Sequence, residues 1–107
     1  MNKYTELSDF EVNKKVAEKS GLVYEVTRYG VVTRMSNKEQ WREFNPCNNP
    51  ADAMPIIIEN KIGLSPMYHS NKWTADCLDY DFISVNKNPL RAAMELFLLM
   101  KDAENEG

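Results

Sequence analysis

Apolar side chains recur at helical spacing in three stretches of the chain and at strand density between them. In the first stretch, Phe10, Val12, Val16 and Ala17 form one face, and Lys14, Lys15, Glu18 and Lys19 cover the other. Its start carries a capping box. The Ser8 hydroxyl can accept from the Glu11 amide while the Glu11 side chain reaches back to the Ser8 amide, and Leu7 and Val12 have the spacing of a hydrophobic staple. Gly21 supplies a stop. The pattern predicts a helix over about residues 9–20.

Leu22 to Tyr29 is rich in β-branched and aromatic residues and predicts a strand. Gly30 interrupts it, so Val31 to Met35 either continues past a bulge or returns as a partner strand. Residues 36–49 are polar and irregular, with a short helical turn expected around residues 38–44 that turns Trp41 and Phe44 inward. Asn49-Pro50-Ala51-Asp52 then opens a second helix. Asn49 suits the N-cap, Pro50 the first helical position, and Asp52 the positive end of the helix dipole. Ala53, Met54, Ile56, Ile57 and Ile58 make it apolar, Pro55 is expected either to kink it or to follow a tight first turn, and it ends near Asn60.

Residues 62–68, 72–77 and 80–85 predict three short strands, with a turn at His69-Ser70-Asn71. Pro66 points to an edge position or a bulge. Asn88-Pro89 repeats the cap grammar of Asn49-Pro50 and opens a last helix to about Ala103, with residues 104–107 expected to fray. That helix has little polar face beyond Arg91, Glu95 and Asp102, so it is expected to be buried on most sides or to form a homo-oligomer interface. The pattern predicts a single layered α+β domain over residues 1–107, with three helices on a mostly antiparallel sheet of about four to five short strands.

Composition narrows the function classes. With 107 residues the chain suits one core, and 43% hydrophobic with 27% charged residues is ordinary for a globular protein. The net charge is −3, and residues 44–107 hold five Lys/Arg against nine Asp/Glu, which argues against duplex DNA as a partner. The longest apolar run, Leu96 to Met100, is far too short to cross a bilayer, and residues 1–6 lack an apolar signal core, so no secretory leader is expected. Cys47 and Cys77 form no CxxC pattern, so reduced, buried thiols in a cytosolic protein are expected.

Four segments together resemble the phage NinX family: Leu7 to Glu18, Cys47 to Ile57, Trp73-Thr74-Ala75, and Asn88 to Met94. The resemblance covers most of the chain and is weakest over residues 22–46. It implies a phage or prophage accessory protein and brings no catalytic residues with it. The final-helix pattern is also similar to small phage domains described as α–β–α sandwiches.

The residues themselves offer two polar clusters at helix starts. Asn45, Asn48, Asn49 and Asp52 surround the second helix start, where amides could hold a ligand's polar groups; capping and turn closure explain the same residues more simply. Arg91 lies in the first turn of the last helix, the unfavourable end for a cation. An anion held between Arg91, Lys87 and the helix amides would rationalise it, and so would an ion pair with Glu95 or with another element. Asn48, Asn49, Asp52, Asn88 and Arg91 are therefore the candidate ligand-binding residues, for a protein that works by binding a host or phage protein or a small anionic ligand. One alternative is a metal-dependent enzyme acting on nucleotides or nucleic acid through Asp76, Asp79 and Asp81, although a solvated turn explains these three residues more simply. Another is a homo-oligomeric structural module built on the last helix. His69, Cys47 and Cys77 match no familiar zinc spacing, and no catalytic or phosphate-loop signature is present, so no cofactor and no metal are expected.

Overall fold

The structure, a computed structural model, describes residues 2–106. Three helices and six strands follow in the order α1 (Asp9–Lys19), β1 (Val23–Thr27), β2 (Gly30–Arg34), β3 (Arg42–Glu43), α2 (Pro50–Glu59), β4 (Gly63–Pro66), β5 (Trp73–Asp76), β6 (Ile83–Asn86) and α3 (Pro89–Glu106). The strands form two antiparallel three-stranded sheets, β1-β2-β3 and β4-β5-β6. The class is α+β as the pattern predicts, with six strands in two sheets where one sheet of four to five was expected.

Local chemistry sets each element. The capping box of α1 forms with both of its hydrogen bonds. Gly21, at φ 75°, ends the helix: its amide donates to the Glu18 carbonyl and the Leu22 amide to the Ala17 carbonyl. The chain then enters β1 and turns at Arg28-Tyr29, so residues 30–34 return as the partner strand, with Tyr24 opposite Thr33 and Val26 opposite Val31. Residues 38–44 do not form the expected helical turn. Arg42 and Glu43 pair with Thr33 and Val32, and the Phe44 amide donates to the Val31 carbonyl at 2.9 Å. The sheet edge offers these amides partners that a single short helical turn could not supply, and Phe44 is buried all the same. Phe10, expected on the inner face of α1, is 39% exposed.

Helix α2 runs through Pro55 without a break in its assignment. Pro55 lies on the exposed side, so the amide it lacks would have bonded to the Ala51 carbonyl at the surface, where water is available. The helix ends by the same two-bond closure as α1. Lys61 donates to Ile58 and Ile62 to Ile57, with Lys61 in the left-handed region at φ 54°. Pro66 closes the edge strand β4, and His69 sits in the following turn at φ 59°.

Helix α3 explains its own composition. One side packs on β5 and β6, and others meet α1 and α2. Every residue from Arg91 to Leu98 is buried, with Phe97 2% exposed. Its helical assignment continues to Glu106, beyond the expected end at Ala103; of the anticipated frayed tail, Gly107 lies outside the described residues.

Lys61 gives a direct test of the α2 stop. A β-carbon in the left-handed region costs roughly 1–2 kcal/mol, so Lys61→Gly is expected to raise stability by up to about 1 kcal/mol after glycine's greater unfolded-state entropy is subtracted. The shift in urea midpoint at unchanged slope measures it.

Candidate functional site

The two Asn-Pro helix starts meet, and they meet through each other's side chains. Asn49 caps α2 by accepting from the Ala51 amide at 3.0 Å. Asn88 caps α3 by accepting from the Leu90 amide at 2.9 Å. The Asn88 amide group donates to the Cys47 carbonyl at 2.6 Å and to Asn48 Oδ1 at 3.3 Å. Asn48 in turn donates to Asp9 Oδ2 and Asn45 Oδ1, both at 3.1 Å. Asn45 accepts from Asn13 at 2.8 Å, and its backbone amide donates to Asp52 Oδ2 at 2.9 Å. One network thus ties together the beginnings of all three helices.

Arg91 stands at its centre. Nε donates to Glu95 Oε2 at 2.7 Å, Nη1 to Asp9 Oδ1 at 2.6 Å, and Nη2 to the carbonyls of Tyr4 at 3.0 Å and Leu7 at 2.7 Å. Its side chain is 7% exposed and that of Glu95 is fully buried. Burial alone would lower the guanidinium pKa. The hydrogen bonds to Asp9 and Glu95 outweigh it, so the pKa is raised and the group stays charged. The anions beside Arg91 are the protein's own carboxylates, which is how a cation is accommodated at the positive end of α3. Glu95 Oε1 also accepts from Asn2 at 2.8 Å, and Asp102 takes the Tyr4 hydroxyl and Lys3, the latter at 2.9 Å. Residues 2–7 are therefore strapped along the polar stripe of α3. Desolvation pushes the Asp102 pKa up, but the Tyr4 hydroxyl and Lys3 outweigh that and lower it. Cys47, fully buried in the same junction, has its thiol pushed up to about 12 by burial and then by Asp9, so it stays protonated and unreactive.

A separate cleft of about 380 Å³ lies beside this junction. One wall is a single stripe of α2 carrying Asp52, Pro55, Ile56 and Glu59. Arg34 of β2, Arg42 of β3, Lys19 of α1 and Lys101 of α3 also line the cleft, as does Glu39 from the β2–β3 connection. Leu22, Phe44 and Phe97 supply apolar surface. The Arg34 guanidinium lies over the Trp41 ring at 4.3 Å, and its Nε is buried with no hydrogen-bond partner among the described residues. Of the five candidates read from the sequence, only Asp52 lines this cleft. Asn48 lines a smaller cavity of about 140 Å³ with Asp9, Asn13 and Asn45. The basic residues of the cleft come from four elements, and their positions in sequence carry no joint signal.

Asp76, Asp79 and Asp81 are all exposed, and among the described residues no three His, Cys, Asp or Glu side chains are grouped as metal ligands would be. Among the same residues no helix is long and apolar enough to cross a membrane.

The junction is testable without any ligand. Arg91→Ala strands a buried Glu95 carboxylate and is expected to cost about 3–5 kcal/mol, whereas Arg91→Met with Glu95→Leu should recover most of that loss. Chemical denaturation of the single and double variants decides it; equal losses in both would show that the pair itself is not what counts. The Asp102 contacts predict a pH signature. A depressed carboxylate pKa stabilises the fold above the unfolded value near 3.8, and that stability is lost as pH falls through the lower folded value. Asp102→Asn should therefore be less stable than the parent at pH 6, and the difference should shrink as pH falls below 3.8, as read from urea midpoints.

No curated protein matches the chain. A family model described as "Bacteriophage P22, NinX" matches residues 3–101. That span takes in α1, α2, every strand and most of α3, so the chain belongs to the phage P22 NinX family.

Proposed function

We propose that this phage accessory protein works by binding, and that it takes a small anionic ligand in the cleft between α2 and the β2–β3 edge, in the cytoplasm of the infected host. The observation that carries the reading is the Arg34 guanidinium. Its carbon lies 4.3 Å from the Trp41 ring centroid, its Nη2 donates to Asn37 at 3.3 Å, and its Nε has no partner among the described residues, in a cleft lined also by Arg42, Lys19 and Lys101. A planar guanidinium fixed in this way is suited to a carboxylate or phosphate oxygen, because little side-chain entropy remains to be lost on binding. About 380 Å³ is the size of a small-molecule site. Two free cysteines suit a reducing compartment.

Asp52 belongs to the cleft wall in this reading. Asn48, Asn49, Asn88 and Arg91 act behind it, fixing the start of α2 against α1 and α3 so that the wall is set before a ligand arrives.

Trp41 offers a built-in probe, because a ligand engaging Arg34 changes the cation against its ring. Titration with a panel of phosphates, nucleotides and carboxylates is expected to change tryptophan fluorescence and release heat with one-to-one stoichiometry. Arg42→Ala, at an exposed position, should weaken binding about tenfold, in line with the 1.5–3 kcal/mol range of a charged hydrogen bond, and leave the urea midpoint unchanged. Silence from every member of the panel in both measurements defeats the reading.

A further inference from the structure

Strand β6 is the outer strand of its sheet and bonds to β5 on one side only. In an antiparallel ladder alternate residues aim their amides and carbonyls to opposite sides, so half of those groups on β6 point away from β5. Among the described residues no other backbone hydrogen bond takes them up. Exposure alternates residue by residue through the strand and past both its ends. Asp81, Ile83, Val85 and Lys87 are exposed, while Phe82 and Asn86 are half-buried and Ser84 is buried. Ile83 at 61% and Val85 at 39% thus leave an apolar pair on the outward face of a free edge. A carboxylate flanks it on one side and an ammonium on the other, and neither is in an ion pair among the described residues.

The stretch Asp81-Phe82-Ile83-Ser84-Val85-Asn86-Lys87 is its own antiparallel complement. We propose that β6 pairs with β6 of a second copy of this chain across a two-fold axis at Ser84, joining two three-stranded sheets into one of six strands. In that register Ile83 of each copy lies opposite the partner's Val85, and Asp81 opposite the partner's Lys87. Residues directly opposite share a face, so all these contacts form on the outward side. A slip of one residue would turn the outward set of one copy against the inward set of the other. Moving the axis to Ile83 or to Val85 keeps the faces matched, but sets Asp81 against Val85 in the first case and Lys87 against Ile83 in the second. Of these registers the one centred on Ser84 opposes apolar to apolar and unlike charge to unlike charge. The other sheet edges are built against such pairing: β1 carries Glu25 at its middle, where it would meet itself, β3 has two residues, and β4 begins at Gly63 and ends at Pro66. Strand β6 has no charge, proline or glycine between Ile83 and Asn86. None of the seven residues lines the cleft, so this pairing and the anion site are independent.

Seven residues a side make a small interface, so a dimer with Kd between about 10 μM and about 1 mM is expected. Sedimentation equilibrium of the full chain across that range reads it. Ile83→Lys should abolish the dimer, with circular dichroism and a cooperative urea transition showing that the monomer is folded. Asp81→Lys and Lys87→Asp should each weaken association about tenfold, because each turns two attractive pairs into repulsive ones. The double variant Asp81→Lys with Lys87→Asp should restore it. Both positions are exposed and lie outside the strand, so these variants keep the fold. A general effect of net charge would move the two single variants in opposite directions, since one lowers the negative charge of the chain and the other raises it. A chain that stays monomeric throughout the range, a dimer that survives Ile83→Lys, single reversals of opposite effect, or a charge swap that does not restore association overturns the proposal.

Discussion

The fold is organised around one buried cation. Arg91 lies in the first turn of α3, where the helix dipole opposes it, and its side chain is almost wholly removed from water. The penalty for burying each ion of such a pair is several kcal/mol, so the guanidinium is tolerable only with its donors engaged. Glu95, one turn on, supplies the first carboxylate and Asp9 of α1 the second, and the carbonyls of Tyr4 and Leu7 take Nη2. These partners lie 82 to 87 residues away in sequence, except for Glu95. Satisfying one side chain therefore fixes the N-terminal segment, the start of α1 and the start of α3 against each other.

The rest of the architecture hangs from that joint. Asp9 uses its second oxygen on Asn48, and Asn48 meets Asn88, so the start of α2 is brought to the same place. With its helix starts pinned and β5 and β6 packed on another side, α3 is enclosed, which is why its middle can be apolar everywhere but along the Arg91–Glu95 stripe. The enclosure accounts for the composition without invoking a partner chain. It also fixes where α2 can lie, and so sets the spacing between the α2 carboxylates and the arginines of β2 and β3.

Much of this was legible in the chain. The capping box at Ser8, the Asn-Pro starts and the stop at Gly21 act within a few residues, and each appears where its local chemistry requires. Asn49, Asp52 and Asn88 were recognisable as polar anomalies on greasy helices, and Arg91 as a cation at the wrong end. Their partners were not legible, because Asp9 and Tyr4 are distant in sequence and ordinary in type. The two-residue strand β3 was missed for a related reason: Arg42 and Glu43 have no strand pattern, and only the free edge of β2 gives their amides somewhere to bond. The split into two sheets is likewise decided by tertiary packing, since α2 separates β3 from β4 whatever the individual strands prefer.

The same distinction separates a structural polar cluster from a binding one. At the junction, donors and acceptors close on each other: four Arg91 hydrogen bonds end on the protein, Asn88 uses both ends of its amide, and Asp9 accepts from two sides. Nothing there asks for a ligand. In the cleft the capacity is left open: Arg34 Nε has no partner among the described residues, and no ion pair joins the lining carboxylates Glu39, Asp52 and Glu59 to the lining cations Lys19, Arg34, Arg42 and Lys101. Buried or half-buried polar groups that the chain does not satisfy must be met by water or by a ligand, and the proposed anion site therefore rests on unspent hydrogen-bonding capacity more than on the concentration of polar residues.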